Sequence, residues 1–196
     1  RDLAMILNIH GLNSNGKNSK YKFLIDNDYK NVISPNLEYE TQNTYNVFNR
    51  LCNYIELSSK NNPDDVITVI GSSLGGFFAY CLCAKYHVKT ILLNPSLMPF
   101  VTLRNNKNFK LKPFIKLFGE YMTEADSFDY SVVLSKNDEI VNYNRYTLPI
   151  VDTGRNNIHY VNGSHRMKIT DEVSNLLKKL LEPKKLDMNK FPDEFP

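Results

Sequence analysis

Cysteine is scarce in this chain, with Cys52, Cys81 and Cys83 the only three among 196 residues. The set is odd and two members lie one residue apart in an apolar stretch, which serves neither a disulfide framework nor a metal cluster; buried thiols are expected. Charge of one sign is lacking too. The 24 basic and 21 acidic residues leave a formal net charge of +3 without a dominant block, so no long-range field would recruit nucleic acid or an anionic membrane. Residues 1–9 carry a short apolar run but no small-residue cleavage pattern, which argues against a secretory signal. Only 66–84 is uncharged over the length of a membrane span. Its interior, Gly71-Ser72-Ser73-Leu74-Gly75-Gly76, would break a helix at mid-bilayer but suits a tight turn between a buried strand and a buried helix. Internal repeats are absent, and no phosphate-binding loop of the G-x-x-x-x-G-K-[ST] or G-x-G-x-x-G type completes.

What remains is a chain with 42% hydrophobic residues, long enough to bury about 70% of its unfolded surface as one domain. We expect a single domain over 1–182 and a polar, proline-punctuated tail over 183–196, in which Phe191 and Phe195 are possible anchors. Six short runs rich in Val, Ile, Leu and Tyr stand at 3–9, 31–34, 66–71, 88–93, 130–135 and 158–162. Most are continuously apolar, as strands are when helices cover both faces of a parallel sheet. Helical spacing of apolar residues predicts helices over 45–57, 74–87 and 170–181. The last begins with a capping Thr170, carries Asp171 and Glu172 in its first turn and ends on Lys178 and Lys179, matching the helix dipole at both ends. Alternation of strands and helices implies an α/β fold with a minimal six-stranded, mostly parallel sheet. The segment 96–129 is longer than a crossover needs, and Leu111, Phe114, Ile115, Phe118, Tyr121 and Met122 fall at helical spacing. It reads as one or two short helices that either pack on the sheet or form a lid, since both share that periodicity.

Gly71-Ser72-Ser73-Leu74-Gly75 fits G-x-S-x-G, after an apolar strand and before an apolar helix, the context of a nucleophile elbow. A serine at the tip of so sharp a turn has strained backbone, and side chains two residues away on either side would collide, so glycine is needed at both places. The turn leaves the Leu74 amide at a helix N-terminus, where it can face an oxyanion. His10-Gly11-Leu12 closes the first strand and opens a polar loop that can supply a second amide, that of Leu12.

Serine needs a base to remove its proton, and histidine suits that task near neutral pH. Of the four histidines, His10 belongs to the oxyanion loop, His87 ends a helix and His159 lies within the last strand. His165 follows that strand in a Gly-Ser turn, where loops at the carboxyl edge of a parallel sheet gather, and is preferred over His159. Asp138, just beyond the strand at 130–135, is the expected partner of the imidazole, with Glu139 as its local competitor. The order Ser, Asp, His is the one an α/β-hydrolase uses. Asn162-Gly163-Ser164 is formally a glycosylation signal, but a glycan there would block His165. A cytoplasmic protein is therefore expected.

With these residues in view, the chain resembles the YqiA-like family of small bacterial α/β-hydrolase esterases, related to the YcfP proteins. The matching pieces are Ile9-His10-Gly11-Leu12-Asn13-Ser14, the stretch from Gly71 through Gly76 to Phe77-Phe78-Ala79, Asn94-Pro95-Ser96-Leu97-Met98-Pro99-Phe100 and Asn137-Asp138-Glu139-Ile140-Val141. They occur in the family's order and cover most of 3–181. The resemblance implies the α/β-hydrolase fold and hydrolysis of carboxylic esters, with acyl thioesters as a further class. It implies Ser73, Asp138 and His165 as a triad and the amides of Leu12 and Leu74 as oxyanion donors. Two departures stand out: Asn137 where glycine often precedes the family's acid, and Gly163-Ser164-His165 in place of a Gly-Asn-His step.

The expected activity is thus a serine esterase working through an acyl-enzyme on a small-molecule acyl ester or thioester, without metal or organic cofactor. A thioesterase or amidase with the same triad is one alternative, because leaving-group choice depends on pocket shape. A binding protein that keeps the fold without turnover is the other. Oligomeric state is not legible in the sequence.

Overall fold

The computed structural model describes residues 5–122, 129–151, 154 and 157–183. Residues 123–128 of the long crossover, and the tail with Phe191 and Phe195, lie outside these. Six strands appear in chain order: β1 (Met5–Ile9), β2 (Val32–Ile33), β3 (Ile67–Ser72), β4 (Lys89–Leu93), β5 (Tyr130–Ser135) and β6 (Ile158–Val161). They form one sheet in the order β2-β1-β3-β4-β5-β6. Every pairing is parallel, so the sheet is wholly rather than mostly parallel.

Among the described residues the helices are α1 (Ser19–Asp26), α2 (Thr44–Asn61), α3 (Leu74–Tyr86), α4 (Pro99–Thr102), α5 (Leu111–Tyr121), α6 (Tyr143–Tyr146), α7 (Leu148–Val151) and α8 (Asp171–Leu181). Period-two alternation within the strands divides the core between two layers. Met5, Leu7, Ile9 and Val69 join α2, α3 and α5 on one face. Ile6, Ile70 and Ile91 meet Phe23 and Leu24 of α1 and Val173, Leu177 and Leu181 of α8 on the other. Each fully buried aliphatic or aromatic side chain contributes about 1.5–3 kcal/mol by leaving water. These two layers are why the central strands can be apolar throughout.

The uncharged run that imitates a membrane span is divided between β3, the turn at Ser73 and α3. Among the described residues no helix is long and apolar enough to cross a membrane. α3 buries Phe77, Phe78 and Tyr80 at the centre of the molecule. In the long crossover, α5 packs Phe114 against both Phe77 and Phe78, with ring centroids 5.6 and 6.2 Å away. Among its described residues the crossover holds the helices α4 and α5, of which α5 is anchored in the core.

Candidate functional site

Parallel strands release their chains at one edge, and five of the six loops there carry side chains of interest. β3 ends in the elbow. Ser73 has φ 51° and ψ −119°, a left-handed conformation costing about 1–3 kcal/mol that surrounding structure must hold. It is held on both sides: the Ser73 amide donates to Leu93 O at 3.0 Å, and its carbonyl accepts from Gly76 and Ser96, each at 2.9 Å. A Cβ on Gly71 would come within 2.5 Å of Ala79 Cβ and of Gly75 O. On Gly75 it would strike the carbonyl oxygens of Ile9 and His10. The glycines are thus required by the close approach of β1, β3 and α3.

The structure brings Ser73, His165 and Asp138 into one hydrogen-bonded chain. His165 Nε2 stands 2.8 Å from Ser73 Oγ, and its Nδ1 stands 2.9 Å from both carboxylate oxygens of Asp138. Since an ionised carboxylate only accepts, Nδ1 carries the proton and Nε2 is left to accept from the serine hydroxyl. The Asp138 side chain is almost fully buried and that of His165 is 12% exposed. Burial pushes the Asp138 carboxyl up, but hydrogen bonds from His165 and from the amides of Val141 and Ile140 outweigh it and hold the group below its ordinary value. Those amides donate to Oδ1 at 2.8 and 2.9 Å. The carboxylate is therefore kept charged beside the imidazole.

Glu139, the competitor for that place, does something else. Its Oε2 accepts the backbone N–H of His165 at 2.9 Å, a bond that holds its carboxyl below the ordinary value. His159 stays in β6, paired with Val133 of β5, and does not line the cavity above Ser73. His87 caps the C-terminus of α3 in left-handed conformation.

His10 is buried behind the first loop. Its Nε2 accepts the Leu37 amide at 2.9 Å while Nδ1 donates to Gly11 O at 2.7 Å, and burial lowers its basicity. The ring is neutral and fixes the carbonyl of the Gly11–Leu12 peptide. In a planar trans peptide the Leu12 N–H must then point the opposite way. Gly11 itself passes so close to the elbow that a Cβ there would lie 3.0 Å from Ser73 Cβ. Leu74 opens α3, so its amide has no intrahelical acceptor. Leu12 and Leu74 both line the cavity with Ser73 and His165.

That cavity has a volume of about 740 Å³. Its walls include Val101 to Asn105 at the end of α4 and just beyond it, Ile140 and Val141 close to Asp138 in sequence, and Tyr146 on α6. The three cysteines are buried thiols, and burial pushes Cys83 up to about 11. Burial raises Cys81 as well, so neither of these two is primed as a nucleophile.

Two functional residues escaped the sequence reading. Asn94, at the end of β4, has φ 43° and is buried. Its Oδ1 accepts Ser135 N at 2.7 Å, and its Nδ2 donates to Ser135 Oγ at 2.9 Å, Ser164 O at 3.2 Å and His165 O at 2.8 Å. Lys20, in the first turn of α1, reaches the carbonyls of Arg166 and Met167 at 2.6 and 3.1 Å. Together with Glu139 they hold the backbone of the His165 loop from three sides.

Among solved structures, one of the metagenome-derived lipolytic enzymes LipS and LipT superposes with a TM-score of 0.69 at 13% identity, covering 90% of this chain and 91% of that one. Est1E of Butyrivibrio proteoclasticus with bound ferulic acid gives 0.66 at 13% identity, over 90% and 87% of the two chains. The Pyrococcus furiosus esterase Pf2001 gives 0.63 at 15%, over 90% and 81%. At such identities the likeness establishes the fold, which is that of the α/β hydrolases. No curated protein matches the sequence. The profile of one family does match, over residues 5–168, and since that span covers most of the chain, the chain belongs to Uncharacterised protein family UPF0227, the YqiA family.

Proposed function

We propose that the protein is a serine hydrolase that cleaves carboxylic esters through an acyl-enzyme on Ser73. The observation that carries this reading is the unbroken chain Ser73 Oγ, His165 Nε2, His165 Nδ1, Asp138 carboxylate, with links of 2.8 and 2.9 Å. As Ser73 Oγ attacks the substrate carbonyl, His165 Nε2 takes the hydroxyl proton and Asp138 stabilises the imidazolium. The amides of Leu12 and Leu74 hold the oxyanion, at the position where charge develops. Collapse of the tetrahedral intermediate breaks the ester C–O bond, and His165 returns the proton to the leaving alkoxide. Water, deprotonated by the same imidazole, then attacks the acyl-enzyme and frees Ser73.

The domain that performs this spans 1–182, and a glycosylation signal abutting His165 favours a cytoplasmic setting. Replacing Ser73 by alanine should lower kcat on a 4-nitrophenyl ester by about 10⁴-fold or more, because the three side chains act as a unit. Fluorophosphonate labelling of the native protein should vanish in the same variant. An unchanged rate in Ser73→Ala, or a native protein inert to both reagents, would overturn the proposal; the second result would identify a binding protein built on a hydrolase fold.

A further inference from the structure

The cavity above Ser73 carries more positive charge than an ester carbonyl requires. Its titratable side chains are Lys20, Arg104, Glu139, Tyr146, His165 and Arg166. Three are cations and only one is a carboxylate. One oxygen of that carboxylate is engaged, Glu139 Oε2 accepting the His165 amide. Asp138, behind the imidazole, is likewise committed to His165 and to the amides of Ile140 and Val141. Lys20 directs its ammonium into two carbonyls of the chain.

Arg104 and Arg166 differ from Lys20. Both side chains are exposed, and among the described residues neither guanidinium has an acceptor, a carboxylate or an aromatic face as partner. Glu139 shares the cavity with them, yet no ion pair forms. The two arginines come from separate segments. Arg104 follows α4 in the crossover from β4 to β5, whereas Arg166 directly follows His165 after β6. Isolated surface arginines are usually just solvated. Two of them lining one cavity from separate segments, neither paired with Glu139, instead form a pair of planar donor forks suited to a carboxylate or phosphate. A plain aliphatic ester would draw nothing from either.

We propose that the natural substrate carries, besides its scissile ester, an anionic oxygen group, carboxylate or phosphate, which Arg104 and Arg166 bind while the carbonyl lies at Ser73. This rests on Ser73 being the nucleophile. The apolar residues Val101, Leu103, Ile140 and Val141 of the same walls then accommodate the carbon chain joining the two groups. Because the forks are open to solvent, the attraction weakens with ionic strength.

Four esters test it, with spontaneous hydrolysis subtracted: 4-nitrophenyl hexanoate, 4-nitrophenyl hydrogen adipate, 4-nitrophenyl 6-phosphonohexanoate and 3-carboxy-4-nitrophenyl hexanoate. They place no anion, a carboxylate or a phosphonate on the acyl end, or a carboxylate on the leaving group. In the native protein kcat/KM for at least one anionic ester should exceed that for the hexanoate by about tenfold or more, the scale of one charge-assisted hydrogen bond. The readout in variants is the ratio of anionic to neutral ester, which a general loss of fold or of catalysis does not alter. That ratio should fall toward unity in Arg104→Ala/Arg166→Ala, recover in part in Arg104→Lys/Arg166→Lys, and shrink in 0.5 M salt, where the screening length is only about 4 Å. Hexanoate hydrolysed as well as all three anionic esters would overturn the proposal and leave the hydrolase reading intact. So would a preference that survives in the double alanine variant. Native protein inert to all four esters and to fluorophosphonate would instead remove the hydrolase reading, and this proposal with it.

Discussion

Asn94 uses both ends of its amide to tie three segments together: its own strand end, Ser135 at the end of β5, and the Ser164–His165 carbonyls. It touches no reacting atom, so its part is positioning. Its left-handed backbone, φ 43°, is one that asparagine and glycine tolerate and alanine does not. Asn94→Gly therefore removes the amide without adding strain. Losing these bonds leaves buried backbone groups unpaired, which costs about 1–3 kcal/mol each, and frees the loop that aims the imidazole. A displacement of the order of 1 Å lowers rates by about 10²-fold. The expected outcome on any hydrolysed ester is a kcat reduced by that order with little change in KM, and a lowered urea midpoint. A kcat close to that of the native protein would show that Glu139 and Lys20 suffice to hold the loop. The contrast with Ser73, Asp138 and His165 explains what the sequence could reveal. Each of those three sits at the end of a recognisable strand, in a turn whose composition is itself a signal. Asn94 and Lys20 gain their meaning from partners 41 to 147 residues away, and no local pattern encodes that separation. The asparagine-proline step carried no role until the loops were assembled around it.

At the scale of elements, glycine separates positions where the fold admits no side chain from positions where it merely omits one. A Cβ on Gly75 would lie 2.5 Å from His10 O and closer still to Ile9 O. Both obstacles are backbone, so β1 and α3 must move apart. Gly75→Ala should lose stability by about 2–4 kcal/mol, at the upper end of overpacking, or about 5–15 °C in Tm for a chain of this size. Gly119 is the counterpart. It lies within α5 and a Cβ there would meet nothing within 4 Å, so Gly119→Ala should gain about 0.5–1 kcal/mol through helix propensity. Thermal unfolding followed by circular dichroism checks both, and equal shifts in the two variants would refute the distinction. The same division between dense and open regions governs which elements could be read in advance. β1, β3, β4, β5 and α3 are mostly apolar because both faces of the sheet are covered, and the limits of β3, β4, β5 and α3 follow from composition to within one residue. α1, by contrast, begins at Ser19 on an Asn18 cap, ahead of any apolar periodicity. α6 and α7 have four residues each, too few to display a period. Short elements set by tertiary contacts leave little trace in sequence.

For the molecule as a whole, Lys20 is the link between the first helix and the segment that follows β6, closing a loop of 146 residues with one ammonium. Burial lowers its pKa from 10.5 to about 8. The folded protein therefore carries a penalty for the protonated amine that is fully present below pH 8. It is relieved as pH rises from 8 toward 10.5, where the unfolded chain still binds the proton and the folded one does not. From pH 7 to pH 9 this relief amounts to about 1 kcal/mol of added stability. Cys81 and Cys83 act in the opposite sense. Burial raises both thiols, so the stability they contribute is complete at neutral pH and declines once the unfolded chain's cysteines ionise, near pH 8.5 to 9. The two slopes oppose each other above about pH 8.5, so the Lys20 contribution emerges by difference. In Lys20→Met the carbonyls of Arg166 and Met167 lose their donor at every pH, which sets a constant offset. The stability of the native protein relative to that variant should then grow by about 1 kcal/mol between pH 7 and pH 9 in urea unfolding. A gap that stays constant would mean that the ammonium remains solvated, and that the tie between α1 and the His165 loop is looser than its hydrogen bonds imply.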